Sequence, residues 1–141
     1  MPATRKRFHA TELVSLDEEG CVKLSEEVLE ALDIEPRTAF LAVGELAPRR
    51  IILYPVAMGG RRLVEVLATI KDTPGSLGEI ATALGDIDVN IETSILPPGS
   101  GGLCDWIAVI DVTNSKLGLE ELKAKLNGLS SVESVEVVEV P

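Results

Sequence analysis

Asp72-Thr73-Pro74-Gly75-Ser76-Leu77-Gly78-Glu79-Ile80-Ala81-Thr82-Ala83-Leu84, followed by Val89-Asn90-Ile91, is the stretch that decides the fold. Thr-Pro-Gly makes a turn that delivers the chain into a helix. Leu77, Ile80, Ala81 and Leu84 then recur at i, i+3, i+4 and i+7, which predicts one apolar stripe of an α-helix. Upstream, Leu63 to Ile70 reads as a strand. Downstream, Val89 to Leu96 and Leu103 to Val112 read as strands on either side of the turn-rich Pro97-Pro98-Gly99-Ser100-Gly101-Gly102. Leu119, Leu122 and Leu126 share a face of a second helix, and Gly128 suits its end. Val132 to Val140 closes the series as a strand. The order is β-α-β-β-α-β, a ferredoxin-like pattern of the α+β class.

With helices on one side only, the opposite face of each strand should turn polar. The strand from Leu103 to Val112 instead carries Cys104, Trp106, Ala108 and Ile110 on one face and Leu103, Ile107 and Val109 on the other. A bare patch of that kind is an aggregation hazard, so a second subunit or the other lobe is expected to cover it. The expected assembly is a homodimer or a higher homo-oligomer.

The first half has a different pattern. Met1 to Arg7 holds Arg5, Lys6 and Arg7 with no apolar periodicity, as in a basic arm. Leu13 to Leu16 and Val22 to Leu24 flank Asp17-Glu18-Glu19-Gly20 and predict a hairpin. Ser25 suits an N-cap, Glu26 and Glu27 suit a first helical turn, and Val28, Leu29 and Leu32 give one apolar face before Pro36. Ala39 to Val43 and Arg50 to Tyr54 are two further strands around Gly44 to Arg49. The division expected is residues 1–57 as a first domain, 58–62 as a linker with paired glycines and arginines, and 63–141 as a second domain.

Charge restricts the partners. Of a net −10 in 141 residues, residues 1–62 hold nine Lys/Arg against ten Asp/Glu, whereas residues 63–141 hold four against thirteen. Acidity on that scale opposes nonspecific contact with nucleic acid or anionic lipid, so any nucleic-acid contact must come from the first half. Aromatic residues are 3% of the chain, which leaves the core to Val, Ile, Leu and Ala. Cys21 and Cys104 lie far apart without CxxC spacing, and no apolar run approaches the ~20 residues that cross a bilayer. A reduced, cytoplasmic setting with no membrane partner is the expectation.

The run from Asp72 to Leu84 with Val89-Asn90-Ile91 resembles the opening of an ACT domain, and the resemblance extends over residues 63–140. It implies a module that binds an amino acid at the interface of paired copies and passes the signal to an attached enzyme or DNA-binding part. The ligand contacts it implies are Asp72, Gly75, Ser76 and Leu77 at the turn, and Asn90 and Ile91 at the strand start. The chemistry is compatible: a glycine at a helix mouth lets a carboxylate approach backbone amides, and an asparagine offers both donor and acceptor. A tight turn and a locally satisfied asparagine would show the same residues.

Residues 13–56 resemble, in pattern more than in motif, the swapped-hairpin lobe of AbrB and SpoVT type regulators. Leu16 to Leu24 carry the hairpin, Glu27 to Ile34 the helix, and Arg50-Ile51-Ile52-Leu53-Tyr54-Pro55 the last strand. That resemblance implies exchange of hairpins between two chains and, in many members, DNA binding. Arg5, Lys6, Arg7, Lys23, Arg49 and Arg50 are the candidate phosphate contacts, and His9 of the arm and Arg37 complete the set of basic residues available within residues 1–56. Asp17, Glu18 and Glu19 oppose that role, and Ser25 stands where a proline is frequent in the family.

No catalytic apparatus is legible. His9, the single histidine, falls in the arm, His9, Cys21 and Cys104 are scattered, and Gly99 to Gly102 lacks the lysine and the strand-loop-helix setting of a phosphate loop. Asp86 with Asp88 and Glu120 with Glu121 are acid pairs of the kind that exposed helix ends collect. The reading is a regulatory protein and no enzyme, with no catalytic residue, no metal and no cofactor beyond an amino acid as effector. Its output is DNA binding or, as the alternative, docking onto a metabolic enzyme. A structural oligomer with a vestigial pocket is a third reading.

Overall fold

The computed structural model of the chain describes residues 10–56 and 61–141. It divides into two compact units, with the boundary between Gly59 and Gly60. Arg5, Lys6, Arg7 and His9, and Met58 to Gly60 of the expected linker, lie outside the described residues.

The second unit contains β3 (Leu63–Lys71), α2 (Ser76–Gly85), β4 (Asn90–Ile95), β5 (Leu103–Asp111), α3 (Leu119–Asn127) and β6 (Val132–Glu139). The first contains α1 (Glu26–Ala31), β1 (Ala39–Glu45) and β2 (Arg50–Val56).

In the second unit the four strands form one antiparallel sheet in the order β4-β5-β3-β6. This is the interleaved arrangement of a ferredoxin-like fold. Alternation along β3 aims Val64, Val66, Ala68 and Ile70 at the helices, opposite Ile110, Ala108, Trp106 and Cys104 of β5. Ile80 and Leu84 of α2 and Leu122 and Leu126 of α3 close this core, which centres on Trp106 at 1% exposure. The indole N–H of Trp106 has no acceptor among the described residues. Burying a donor in that way offsets about 1–3 kcal/mol of what the ring's burial contributes.

The buried positions of α2 are Ser76, Ile80, Ala83 and Leu84, while Leu77 is 42% exposed and Ala81 is exposed. The inward stripe is therefore rotated from the one read from Leu77 and Ala81. Counting only apolar residues caused the shift, because a small hydroxyl residue, Ser76, takes the inward place at the helix start. The other face of the sheet is less bare than its composition implies: Val109 is buried, and Leu63, Leu67 and Ile107 are half-buried.

Gly99 sits where the β4–β5 connection passes over the start of β5. A Cβ there would stand 1.9 Å from the Leu103 carbonyl oxygen and 2.6 Å from Cys104 Cα. Both are backbone atoms and cannot rotate away. Gly99→Ala is thus expected to destabilise the unit by about 1–3 kcal/mol, the usual cost of forcing extra volume into a packed place. Urea denaturation with an unchanged m-value measures it.

The first unit is unlike this. β1 and β2 pair antiparallel from Ala39–Val56 to Glu45–Arg50, each two residues longer than the sequence pattern indicates, around a turn containing the cis Ala47–Pro48 bond. Ser25 caps α1, its Oγ accepting from Val28 N while it donates to Glu12 Oε2. The Asp17 to Gly20 turn also forms, with the Asp17 carboxylate accepting from the Glu19 and Cys21 amides. Residues 13–16 and 22–24, expected as paired strands, carry no ladder. Their apolar side chains explain why. Leu13 is 100%, Leu16 69% and Val22 45% exposed, and Leu41 alone of the unit's described apolar side chains is buried. Two extended segments with nothing to pack on gain too little from pairing to fix a register.

Candidate functional site

The turn between β3 and α2 is built by conformation more than by side chains. Gly75 is the N-cap of α2 at φ +89°, a left-handed geometry that a residue with a Cβ enters only at a cost. It supplies no capping side chain. Ser76 N reaches the Thr73 carbonyl and Glu79 N the Gly75 carbonyl, so the amides of Leu77 and Gly78 have no acceptor within the helix start. A Cβ at Gly75 would meet nothing within 4 Å, and Asp72, Thr73 and Pro74 are exposed around it. Orphan amides and the positive end of a helix dipole thus face open space.

The underside is bolted down. Lys71 N donates to Ser131 O, Asp72 N to Gly102 O, and Ser131 Oγ to Ser76 O at 3.4 Å. Ser76, 5% exposed, turns its hydroxyl to Thr73 Oγ1 at 3.0 Å. Among the turn residues read as ligand contacts, Asp72, Gly75 and Leu77 face outward, and the Ser76 side chain is spent inside the turn.

Glu79 locks the same corner. Its carboxylate accepts from Ser130 N at 2.8 Å and Ser130 Oγ at 3.0 Å, and these bonds hold its pKa below the ordinary value. A depressed folded pKa stabilises the fold above the unfolded value and loses that stabilisation as pH falls through the folded one. Thermal melts from pH 7 down to pH 3 should therefore show Glu79→Gln losing less stability on acidification than the native protein. Parallel curves for the two would contradict the assignment.

Asn90 and Ile91 are elsewhere. Asn90 pairs with Asp111, and Asp111 pairs with Leu63 at the start of β3, whereas the turn follows the end of β3 at Lys71. At ~3.3 Å per residue the two clusters stand roughly 25 Å apart in one chain. Ile91 is half-buried and packs against the core. Asn90 is exposed, and its Nδ2 donates to Glu92 Oε1 at 3.4 Å. The same oxygen receives Arg61 Nη1 at 2.8 Å, and Arg61 also lies 3.6 Å from Asp111 Oδ2. Burial pushes the Asp111 carboxyl up, but hydrogen bonds from Thr113 and the charge of Arg61 outweigh it, and its pKa lies below the ordinary range. Arg61, Glu92 and Asp111 were missed from sequence. The irregularity between Ile91 and Thr93 in the β4–β5 register accompanies Glu92's place beside Asn90, and no periodicity announces it.

Lys23 and Arg49 are exposed on separate segments, and Arg50 is held by Glu45, a contact that raises its pKa. No helix of the described residues is long and apolar enough to cross a membrane. No group of three His, Cys, Asp or Glu among them is placed to hold a metal ion. Both cysteines are free, and burial, with Asp72 and Asp105 adding to it, pushes the Cys104 thiol pKa up.

The second unit has a ferredoxin-like βαββαβ fold. No family model and no curated protein matches the chain. Among solved structures, it is similar to the C-terminal domain of the MgtC protein from Mycobacterium tuberculosis, at 16% identity and TM-score 0.48, over 60% of this chain and 94% of that one. It is similar to the ACT domain from the GTP pyrophosphokinase of Chlorobium tepidum, at 22% identity and TM-score 0.42, over 55% of this chain and 99% of that domain. A homoserine dehydrogenase from Thiobacillus denitrificans matches at 19% identity and TM-score 0.44, over 57% of this chain and 18% of that one.

Proposed function

We propose that this chain is a non-catalytic, amino-acid-responsive regulatory protein, in which residues 63–141 bind a free amino acid between two copies and residues 1–57 hold the chains together. The observation that carries the reading is the left-handed Gly75 cap: it leaves the amides of Leu77 and Gly78 uncapped and keeps the space before them open. A carboxylate suits that position by hydrogen bonding and by the helix dipole. The roughly 25 Å between the turn and Asn90 adds a condition. If both touch one ligand, they come from different protomers, as in a two-fold pair that sets the turn of one copy against the β4 edge of the other.

Binding then acts by favouring the paired arrangement, to the extent that the ligand fits that arrangement better than the alternatives. Arg61, the residue at which the described part of the second unit begins, shares Glu92 with Asn90. A ligand that engages Asn90 therefore competes for the group that anchors the linker's end.

For the output, charge favours docking onto a metabolic enzyme over DNA. The second half carries a net −9, the hairpin turn presents three carboxylates, and Arg50 is occupied by Glu45. DNA contact is the second reading, carried by Arg5, Lys6, Arg7, Lys23 and Arg49. A gel shift at low salt that disappears when Arg5, Lys6 and Arg7 become alanine would support it. No retention at any salt leaves the enzyme-docking reading. The pocket itself is tested by a thermal-shift screen of the twenty amino acids, since a ligand bound only by the folded state raises the melting temperature.

A further inference from the structure

Among the described residues, the ion pairs of the second unit all run to Arg61 or Arg62, the two arginines of the expected linker. Their partners lie on three strands of the sheet. Arg61 Nη1 meets Glu92 Oε1 of β4 at 2.8 Å and Asp111 Oδ2 of β5 at 3.6 Å, while Arg62 Nη2 meets Glu139 Oε1 of β6 at 3.3 Å. The Arg62–Glu139 pair is exposed on both sides and contributes little. The side chains of Glu92 and Asp111 are only 20% and 16% exposed, so solvent screens their hold on Arg61 much less.

The backbone of Arg62 is held as well. Its carbonyl accepts from Val112 N at 2.9 Å, and its amide donates to Thr113 Oγ1 at 2.8 Å. That hydroxyl in turn donates to Asp111 Oδ1, which also accepts from Thr113 N at 2.9 Å. One carboxylate therefore has two tasks: Oδ1 orients the hydroxyl that receives the Arg62 amide, and Oδ2 faces the Arg61 guanidinium. The point at which the arrangement gives way is Glu92. Its Oε1 is shared between Arg61 Nη1 and Asn90 Nδ2, the second at 3.4 Å, and Asn90 is exposed. A donor that arrives at Asn90 reaches the same oxygen.

We infer that this cluster is a releasable clasp on the linker: Glu92 and Asp111 hold the Arg61 guanidinium, Thr113 holds the backbone of Arg62, and a cationic donor that draws Glu92 to the position of Asn90 lets Arg61 go. Release returns one residue to the free connection and lengthens it by about 3.5 Å. The backbone of Arg62 stays paired to Val112 and Thr113, so the opening is confined to Arg61. The clasp deepens the regulatory reading and rests on it for the natural occupant at Asn90, but the clasp itself needs no ligand to be tested.

Limited digestion of the full, unliganded chain with an arginine-specific protease reads the state of the clasp. Such a protease takes the arginine side chain into an acidic pocket, so a cut after Arg61 requires the guanidinium to leave Glu92 and Asp111, and its rate follows the open population. The rate is taken relative to the cut after Arg37, which is exposed in the first unit. In the native chain the cut after Arg61 should be the slower of the two. Asp111→Asn keeps an acceptor for Thr113 and removes the charge that faces Arg61, and Glu92→Gln removes the other charge. Each should raise the ratio about tenfold or more. Asn90→Lys places a competing ammonium beside Glu92 at an exposed position, adds no site for this protease, and should raise the ratio similarly with little change in melting temperature. If Asp111→Asn or Glu92→Gln melts early, Asn90→Lys carries the test alone. A native cut after Arg61 as fast as that after Arg37, or a ratio unmoved by all three variants, would overturn the clasp. Acceleration in Asp111→Asn and Glu92→Gln with none in Asn90→Lys would overturn its release at Asn90. Because no effector is present, a failure of the amino-acid reading leaves these outcomes unchanged.

Discussion

Gly75→Val is expected to abolish the rise in melting temperature that the effector amino acid produces, with a loss of affinity of about a hundredfold or more. Two effects combine. A β-branched residue at φ +89° is strained, which pulls the cap away from its present geometry. Its methyl groups also fill the space that now gives access to the Leu77 and Gly78 amides. Because nothing lies within 4 Å of the Cβ position, the fold survives the added volume, and the strain shows as a modest drop in the unliganded melting temperature. Titration separates the two effects: the unliganded melt reports strain, and the ligand-induced shift reports the site. Full retention of the shift would place the ligand elsewhere.

The second large effect is expected in the first unit. Leu16→Asp together with Val22→Asp should convert the proposed oligomer into monomers at micromolar concentration and lower the cooperativity of unfolding of residues 10–56. Burying a Leu or Val contributes about 1.5–3 kcal/mol, and each counts twice in a symmetric pair, so the double change removes about 6 kcal/mol or more of association. That is four orders of magnitude in dissociation constant. A lobe with one buried apolar side chain among its described residues, and with Leu13, Leu16, Leu46 and Ile51 largely exposed, has little else to hold it. Light scattering behind a sizing column reads the outcome directly. An unchanged mass for the variant would show that the chains meet through the second unit alone.

How much of this was legible in the sequence depended on which interaction fixes each element. The strands and helices from Leu63 to Glu139 were legible because period-2 and period-3.6 patterns are enforced by a core contained within the unit. Ser76 was read as a ligand contact because a serine at a helix mouth looks available, and its burial against Thr73 and Ser131 is a tertiary fact. Asn90 was grouped with the turn by motif. The direction of α2, which carries the chain back to the start of β3, puts Asn90 at the other end of the sheet, and that reversal is implicit in any β-α-β order. The segments around Asp17 to Gly20 carry a hairpin pattern whose turn forms alone, while the flanking segments carry no ladder. Arg61, Glu92 and Asp111 left no trace because an ion pair between a linker end and two strands has no spacing rule.

Complementation between two defective chains tests the central claim most directly. Gly75→Val and Asn90→Ala each damage one half of a site that the account assembles from two protomers. When the two variants are mixed, unfolded and refolded together, a mixed pair contains one site with both halves intact and one with both damaged. Calorimetry with the amino acid that gives the largest thermal shift should then recover native affinity at one ligand per mixed pair, although neither variant alone binds. Absence of any recovery from a mixture shown by mass to contain mixed pairs would contradict a site shared between protomers.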